Sequence, residues 1–341
     1  MTVSEDLLYL APTDLSARRE PTQRYDGDGF GVRLNRFVES DIELFRKVYE
    51  GVKRAHALWL DIRDHVLDVP FAELLRRYAL GQFREPRFLL NVRAMGSATY
   101  ELGVPPRDVR GALHDLRSGA LLALIGYAVA ESKGLQVSDD ETRTAVLRAR
   151  DHARIMRNAI VDLDPVRREV DEHIKSSSMR DFVAKWDGAV YRMGERQISV
   201  EFESEFDGNV THHDSEVAAL DRVLYNHVNN AARFAGDDRV RITAFRVNKQ
   251  LVRWVVENTL LPDHNFQLVK AFNGDLSKLY HGGFTRGGHG IGLSLCAEIV
   301  AAACGVTEQD ELLESKYVGA EVRDHRYLAW FHWPVFVPGG S

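Results

Sequence analysis

The stretch Gly287-Gly288-His289-Gly290-Ile291-Gly292-Leu293-Ser294-Leu295 places a run of glycines directly before an apolar segment. That segment, residues 291–303, is predicted to be a buried helix. Glycine lets backbone N–H groups approach an anion without interference from a Cβ atom. The first turn of a helix adds unpaired N–H groups and the positive end of the helix dipole. The stretch therefore predicts a phosphate-binding turn, and the alternative is a tight structural turn.

A segment further upstream, residues 220–234, carries two amides at helical spacing. Its apolar residues recur as one stripe and predict a helix. Asn226 and Asn230 are four residues apart and share one helical face, with Arg233 next to Asn230. Mg²⁺ prefers oxygen ligands and keeps water and substrate phosphates in its shell, so two amide oxygens beside a cation suit Mg²⁺ with a polyphosphate. The alternative is a helix whose amides make ordinary surface hydrogen bonds.

Together, these segments resemble the ATP-binding domain of sensor histidine kinases, a fold shared with DNA gyrase B, a heat-shock chaperone and the mismatch-repair protein MutL. Residues 226–234, NHVNNAARF, are similar to the asparagine box of that family, and residues 287–294 are similar to its second glycine box. The resemblance implies an α/β-sandwich (Bergerat) ATP-binding domain over residues 178–341. It implies that Asn226 and Asn230 hold Mg²⁺ and that ATP phosphates lie near Arg233, Gly288, Gly290 and Gly292.

The first glycine box departs from the family pattern. An Asp-x-Gly-x-Gly sequence supplies the carboxylate that takes the adenine amino group, whereas residues 255–261 here read VVENTLL. Glu257 can accept the same hydrogen bond through a longer side chain, and Asn258 is the competing candidate. Both glycines are absent, so a weakly binding or inactive pocket is an open alternative. Residues 262–286 fit a mobile lid or a disordered surface loop.

A helical hairpin is predicted before this domain. Pro105-Pro106 opens the first helix, whose apolar residues follow a heptad seam until Lys133-Gly134. Ser138 and Glu141 form a capping box that starts a second helix, which is predicted to reach about Ile174 unless Pro165 stops it. One hairpin cannot bury both faces, so residues 101–177 are predicted to form a homodimer with a four-helix bundle.

His114-Asp115-Leu116-Arg117-Ser118 lies on the first hairpin helix, at the rim of the seam. A histidine at such a position is usually a surface or packing residue. The motif resembles the phosphoacceptor motif of histidine kinases, which begins His-Glu/Asp-Leu-Arg. The resemblance implies that His114 is the phosphoacceptor and Asp115 its activating carboxylate. Ser118 and Gly119 depart from the usual Thr/Asn-Pro ending.

This resemblance implies that His114 is phosphorylated from Mg²⁺–ATP and passes the phosphoryl group to an aspartate of a response-regulator receiver domain. Neutral imidazole is a good nucleophile near neutral pH, and Asp115 would hold its tautomer and accept its proton. Ser118 keeps the hydroxyl of threonine without its methyl group, so only weak phosphatase activity is expected. We therefore expect Ser118→Ala to leave labelling of His114 largely intact.

Composition sets broad limits on the class of protein. The 341 residues include 44 Lys and Arg against 50 Asp and Glu, for a net charge of −6, so no basic surplus indicates direct nucleic-acid binding. The only cysteines, Cys296 and Cys304, favour a reducing compartment over a disulfide scaffold. No long apolar run and no signal-peptide pattern is present, so a cytoplasmic protein without a membrane span is expected.

Residues 1–100 carry no recognisable cofactor signature and are predicted to be a helical input or interaction module. Residues 1–28 are polar and expected to be loosely ordered, with helices over 41–60 and 71–79. Histidines outside the acceptor motif are assigned to the surface: His152, His173, His212 and His213. Four strands of the ATP domain are predicted, at residues 197–205, 240–247, 251–257 and 327–332.

The predicted fold is α+β, with a helical N-terminal region, a dimeric helical hairpin and a C-terminal ATP-binding sandwich. The leading functional hypothesis is a cytoplasmic histidine kinase. One alternative is a degenerate, non-catalytic dimeric scaffold that binds partners and nucleotide at most, which the altered first glycine box favours. Another is a kinase that phosphorylates serine on a regulatory protein, which would not need the His114 hairpin.

Overall fold

The computed structural model describes residues 4–18, 30–64, 73, 81–283 and 290–336. Within them the helices are α1 Glu5–Leu8, α2 Glu39–Asp64, α3 Pro86–Ala94, α4 Ser97–Glu101, α5 Arg107–Arg117, α6 Ala120–Ser132, α7 Asp139–Ala159, α8 Pro165–Asp171, α9 Met179–Trp186, α10 Asp214–Phe234, α11 Pro262–Phe272, α12 Gly292–Cys304 and α13 Gln309–Glu314. The strands are β1 Ile174–Ser178, β2 Val190–Met193, β3 Arg196–Ser204, β4 Asn209–His213, β5 Arg239–Arg246, β6 Leu251–Thr259, β7 Val318–Arg323 and β8 Arg326–Pro334. Apart from residue 73, the predicted helix at 71–79 lies outside the described residues.

The chain divides into two compact units, a mixture of helix and sheet that matches the α+β class. A helical unit contains residues 30–171 and 189–197, and a sheet unit contains residues 4–18, 172–188 and 198–336, within the described ranges. This division differs from the three consecutive segments 1–100, 101–177 and 178–341 predicted from sequence. The N-terminal helices share a unit with the hairpin, whereas the first residues of the chain belong to the sheet unit.

The sheet unit is built on a mixed sheet, whose strands in this unit follow the order β3-β5-β6-β8-β7. β3 and β5 are parallel, and the other neighbours are antiparallel. The four strands predicted from sequence are confirmed, with ends within two residues, as β3, β5, β6 and β8. β1 and β4 form a separate antiparallel pair that the sequence reasoning missed.

The two faces of the main sheet are covered by different kinds of structure. On one face, Trp254 of β6 packs against Phe182 of α9, and α10 and α12 contact β6 and β8. The apolar residues of the other face, including Val255 and Trp330, pack against Leu7 and Leu10 near the start of the chain. We call these the helix-covered face and the strap-covered face.

Residues 4–18 form the N-terminal strap, which is held on the sheet unit by hydrogen bonds to its backbone carbonyls. Arg253 is fully buried and donates to the carbonyl oxygens of Leu7, Leu8, Ala11 and Pro12 at 2.7–2.9 Å. The expectation of a loosely ordered start is therefore wrong for these residues. A sequence reading could not find the contact, because its acceptors are backbone atoms far away in the chain.

In the helical unit, the apolar seam of the hairpin is covered by helices of the same chain. α2 packs against α7, and Phe45, Val48 and Val52 of α2 share one buried core with Leu113 and Leu116 of α5. Among the described residues, the seam is therefore buried within one chain, so burial of the seam does not by itself require a second copy. The four-helix bundle and the homodimer stay predictions without that support.

Buried carboxylates tie the N-terminal helices to the rest of this unit. Asp41 of α2 accepts hydrogen bonds of 2.7 Å from the backbone N–H groups of Gly96 and Thr99 and from the Thr99 hydroxyl. It thereby satisfies N–H groups at the start of α4, which has no cap from its own Gly96. In the same unit, Asp171 of α8 accepts two hydrogen bonds from Arg157 of α7, at 2.7 and 2.9 Å.

The second hairpin helix ends earlier than predicted, and the first is interrupted. The capping box of Ser138 and Glu141 is confirmed at the start of α7, but α7 ends at Ala159, and Pro165 begins the separate helix α8. The first helix is broken between α5 and α6, where Gly119 has φ 59° and ψ −132°, a conformation that favours glycine. The break follows the His114 motif directly.

Among the described residues, no helix combines the length and the apolar character needed to cross a bilayer.

Candidate functional site

Asn226 lies on the buried part of α10, and its orientation is fixed by the backbone. Its Nδ2 donates to the carbonyl oxygen of Arg222 at 2.8 Å. A carbonyl can only accept, so the NH₂ group must face Arg222 and Oδ1 must face away from it. No described residue donates a hydrogen bond to that oxygen. Asn226 therefore presents an acceptor that a cation or a donor group could use.

Asn230 and Arg233 occupy the last two turns of α10. Asn230 is half-buried, and Arg233 is exposed, with its guanidinium 5.4 Å from the Phe234 ring centre. No described carboxylate lies within ion-pair distance of Arg233. The i, i+4 pairing of Asn226 with Asn230 is confirmed as a shared helical face, and an unpaired cation stands at its end.

Asn258 lies near the end of β6 and is almost fully buried, with 3% of its surface exposed. Its Nδ2 donates to Thr259 O at 3.0 Å, so its Oδ1 faces the other way. Oδ1 is buried and has no hydrogen-bond partner among the described residues. A buried acceptor without a partner costs free energy, about 1–3 kcal/mol, which a bound donor would recover.

Glu257, the next residue, points to the opposite face and is already engaged. Its carboxylate accepts two hydrogen bonds from Arg326, at 2.8 and 3.0 Å, and Arg326 also pairs with Asp6 of the strap at 3.1 Å. Arg241 lies 3.8 Å away on the other side. Since successive residues of a strand alternate faces, Glu257 and Asn258 cannot serve the same pocket. The geometry therefore favours Asn258, the candidate left open from sequence, over Glu257 as a base acceptor.

The end of α10 meets the end of β6. Ala235, just after α10, forms a bridge with Leu260, and the N–H of Gly236 donates to Thr259 O at 2.6 Å. A Cβ atom on Gly236 would lie only 3.0 Å from the backbone of Leu260, so the close approach depends on glycine. The structure thus brings the asparagine helix to the strand end that carries Asn258.

The glycine-rich turn is described only in part. Gly288 lies outside the described residues, whereas Gly290 has φ 65° and accepts a hydrogen bond of 3.0 Å from the N–H of Gly283. Gly292 is the first residue of α12, and Ile291 before it supplies no side-chain cap. Among the described residues, no side chain accepts from the first-turn N–H groups of α12, so these groups are available to an anion.

His227, inside the asparagine segment, was not singled out from sequence, yet it connects α10 to the 3₁₀ turn Leu276–His281. Its Nδ1 contacts Val223 O at 2.8 Å, and its Nε2 lies 3.1 Å from the Tyr280 hydroxyl. Burial lowers the pKa of His227 to about 4, so the ring is neutral at pH 7. The sequence offers one indication that His227 points inward, because helical periodicity places it on the same side as Val223.

His114 is on the last turn of α5, with its side chain 14% exposed. Its Nδ1 lies 3.2 Å from Ser118 Oγ and 3.5 Å from Asp115 Oδ1. No described residue hydrogen-bonds to Nε2. The three residues predicted to act together, His114, Asp115 and Ser118, are therefore adjacent in space.

Two histidines assigned to the surface contribute to the structure: one is buried in the core, and the other caps a helix. His152 of α7 is fully buried, and that burial lowers its pKa to about 4 against the raising effect of the Asp115 charge. Asp115 is 2% exposed, so its charge acts on both His114 and His152. His213 caps α10, where its Nδ1 accepts the N–H of Glu216 at 3.2 Å. The surface assignment of His152 was wrong.

Within the described ranges, no group of three or more His, Cys, Asp or Glu side chains is arranged to hold a metal ion. This does not conflict with a magnesium site on Asn226 and Asn230, since Mg²⁺ completes its shell with water and phosphate oxygens. The outward Oδ1 of Asn226 is the kind of donor such a site needs. The residues present therefore fit a magnesium–nucleotide complex.

Neither a protein-family model nor a curated protein matches this chain. Matching solved structures include the mycobacterial sensor histidine kinase MprB, with TM-score 0.31 and 14% identity over 48% of this chain and 98% of that one. They also include full-length ShkA in complex with AMPPNP, with TM-score 0.30 and 17% identity over 67% of this chain and 44% of that one. The Acinetobacter baumannii histidine kinase AdeS matches with TM-score 0.25 and 12% identity, over 65% and 97%. At such low TM-scores and identities, none of them defines an activity for this chain.

Proposed function

We propose that the chain is a protein-histidine kinase that binds Mg²⁺–ATP in the sheet unit and phosphorylates His114. The observation that carries the proposal is a pair of amide oxygens without a donor among the described residues, the outward Oδ1 of Asn226 and the buried Oδ1 of Asn258. Each amide has its NH₂ group on a backbone carbonyl, and no described residue donates to either oxygen. Two acceptors oriented this way suit a metal-bound nucleotide with an amino group on its base.

Each residue of the site has a separate role in this proposal. Asn258 Oδ1 accepts the amino group of the base, and Asn226 and Asn230 supply oxygens to Mg²⁺. Arg233 and the first-turn N–H groups of α12 bind phosphate oxygens. Bound Mg²⁺ would neutralise the charge that develops on the transferring phosphoryl group.

The reaction itself takes place at His114. Its Nε2 forms a bond to the γ-phosphorus while the bond to the bridging oxygen breaks, and ADP leaves with the electron pair. The ring then carries a positive charge until the Nδ1 proton passes to the Asp115 carboxylate. Phosphohistidine is a high-energy donor, so we propose onward transfer to an aspartate of a response-regulator receiver domain. Weak phosphatase activity through Ser118 belongs to the same proposal.

Incubation of the full chain with γ-labelled ATP tests the proposal, followed by acid and alkali treatment of the product. Label that is lost in acid and kept in alkali is the expected result, and it should be absent from His114→Gln. Calorimetry should show Asn230→Ala binding Mg²⁺–ATP at least about tenfold more weakly, since a metal ligand is lost. Asn91→Ala, an amide truncation in α3, is the matched control and should bind as wild type. Unchanged affinity in Asn230→Ala would refute the magnesium assignment.

One observation favours the non-catalytic scaffold instead. With Asn258 in the place of the aspartate, Leu260 and Pro262 stand where the family has glycines, and the N–H of Leu260 is committed to His325 O at 2.7 Å. In that case the chain takes up no label, although it can still bind nucleotide. Acid-stable label on serine of an added regulatory protein would identify the serine-kinase alternative. The same labelling experiment therefore separates all three functions.

A further inference from the structure

The hydroxyl group of Ser118 contacts His114 twice. Ser118 Oγ lies 2.6 Å from the backbone carbonyl oxygen of His114 and 3.2 Å from its Nδ1. A hydroxyl has one hydrogen and two lone pairs, whereas a carbonyl oxygen can only accept. The hydrogen of Ser118 must therefore lie on the bond to the carbonyl. At the second contact Ser118 Oγ is left as an acceptor.

This geometry determines which ring nitrogen of His114 carries hydrogen. If Nδ1 presented a lone pair to Ser118 Oγ, two acceptors would face each other at 3.2 Å. With hydrogen on Nδ1, the contact becomes a hydrogen bond, and the Asp115 carboxylate at 3.5 Å favours the same tautomer. Neutral histidine in water prefers the opposite tautomer, with hydrogen on Nε2. The protein therefore has to impose the arrangement.

The backbone explains why Ser118 is in position to do so. α5 ends at Arg117, and Ser118 leaves the helix with φ −124° and ψ −150° before the turn at Gly119. The end of the helix leaves the His114 carbonyl without its usual N–H partner four residues on. Ser118 Oγ replaces that partner and is thereby held beside the ring.

We propose that Ser118 is a positioning residue that fixes His114 in the Nδ1–H tautomer, which leaves the lone pair of Nε2 free as the nucleophile. The benefit of this tautomer for phosphoryl transfer rests on the proposed function. The tautomer itself does not depend on ATP. It also changes the expectation from sequence. Ser118→Ala should slow labelling of His114, because part of the population would then carry hydrogen on the attacking nitrogen.

Nitrogen NMR of the full chain with ¹⁵N-labelled histidine tests the inference without nucleotide. The His114→Gln spectrum identifies the His114 signals, and proton couplings distinguish Nδ1 from Nε2. Wild type should show a protonated Nδ1 and an unprotonated Nε2. Ser118→Ala should move both signals towards the opposite tautomer, and Ser118→Thr should retain the wild-type pattern because the hydroxyl group is kept.

Ser132→Ala is the matched control. Ser132 Oγ also donates to a backbone carbonyl, Val129 O at 2.8 Å, but it contacts no histidine, so its loss should leave the His114 signals unchanged. A protonated Nε2 in wild type would overturn the inference, and so would an unchanged tautomer in Ser118→Ala. If the tautomer behaves as expected but no label is incorporated, the proposed kinase function fails while the role of Ser118 stands.

Discussion

The two faces of the main sheet satisfy their polar groups differently. On the strap-covered face, Arg253 has carbonyl acceptors from the strap, and Glu257 has both oxygens bonded by Arg326. On the helix-covered face, Asn258 keeps a buried oxygen without a partner among the described residues. Adjacent residues of one strand therefore have opposite roles, one completing the structure and the other open to a ligand. The face on which a side chain lies therefore decides whether it is free to bind a ligand, and the acidic charge of Glu257 does not.

The strongest test of the strap-covered face is the removal of Arg253. Arg253→Gln would leave backbone carbonyls of the strap and the His332 Nε2 acceptor, now 3.0 Å from Arg253 Nε, without their donor. We expect the free energy of unfolding to fall by about 3–5 kcal/mol, the usual cost of removing one partner from a buried charged contact. Urea denaturation measures the loss, and hydrogen exchange should show faster exchange in residues 4–18.

Arg239→Gln is the matched control for that variant. Arg239 lies on β5 but its side chain is 53% exposed, and its ion pair with Glu201, at 3.3 Å, is also exposed. We expect a change below about 1 kcal/mol. If Arg253→Gln were as mild as this control, the strap would not be a structural part of the sheet unit.

Acid should lower the free energy of unfolding, because each face of the sheet has a histidine that is neutral in the folded chain. Burial lowers the pKa of His227 to about 4, and burial with the nearby Arg253 charge lowers that of His332 to about 3. The unfolded chain binds these protons below about pH 6.5, so stability present at pH 7 is lost as the pH falls towards 4. At pH 5 the loss should be about 2 kcal/mol for each histidine.

Urea denaturation at pH 7 and pH 5 measures this loss. The difference between the two pH values should shrink by about 2 kcal/mol in His227→Gln, which cannot take up the proton. His173→Gln, an exposed histidine in the same unit, should keep the wild-type difference. A full pH dependence in His227→Gln would mean that His227 is already charged in the folded chain.

Features that depend on neighbouring residues could be predicted from the sequence. The strand ranges 240–247 and 251–257 lie within two residues of β5 and β6, and the capping box of Ser138 and Glu141 was found because both partners lie within one helical turn. The i, i+4 relation of Asn226 and Asn230 needed only the helical period. In each case the deciding interaction is short in the chain.

Features that depend on distant contacts were missed. The strap is held through backbone carbonyls, which every residue has, so nothing in its sequence distinguishes it from a loose terminus. The packing of α2 against the hairpin could not be predicted either, because an apolar seam does not show which helix buries it. Glu257 was preferred for its charge, and only the strand register with Arg326 shows that the charge is used elsewhere.

The smallest expected effect is a change in nucleotide affinity, and it tests most directly which face of the sheet binds the nucleotide. Asn258→Ala removes the unpartnered oxygen, and we expect Mg²⁺–ATP to bind about tenfold more weakly, the value of one hydrogen bond of about 1.4 kcal/mol. Glu257→Gln keeps the shape of the side chain on the other face, and its affinity should stay within about threefold of wild type. Calorimetry on both variants gives the comparison.

The same geometry explains why residue 258 is asparagine and not aspartate. Thr259 O accepts from both Asn258 Nδ2 and the N–H of Gly236, so an aspartate here would place a carboxylate oxygen against a carbonyl oxygen. Asparagine keeps the acceptor for the base and avoids that repulsion, since its other arm donates. Asn258→Asp should therefore lower stability without improving affinity. If Glu257→Gln weakened binding and Asn258→Ala did not, the nucleotide would lie on the strap-covered face, and the assignment of the site to the helix-covered face would be wrong.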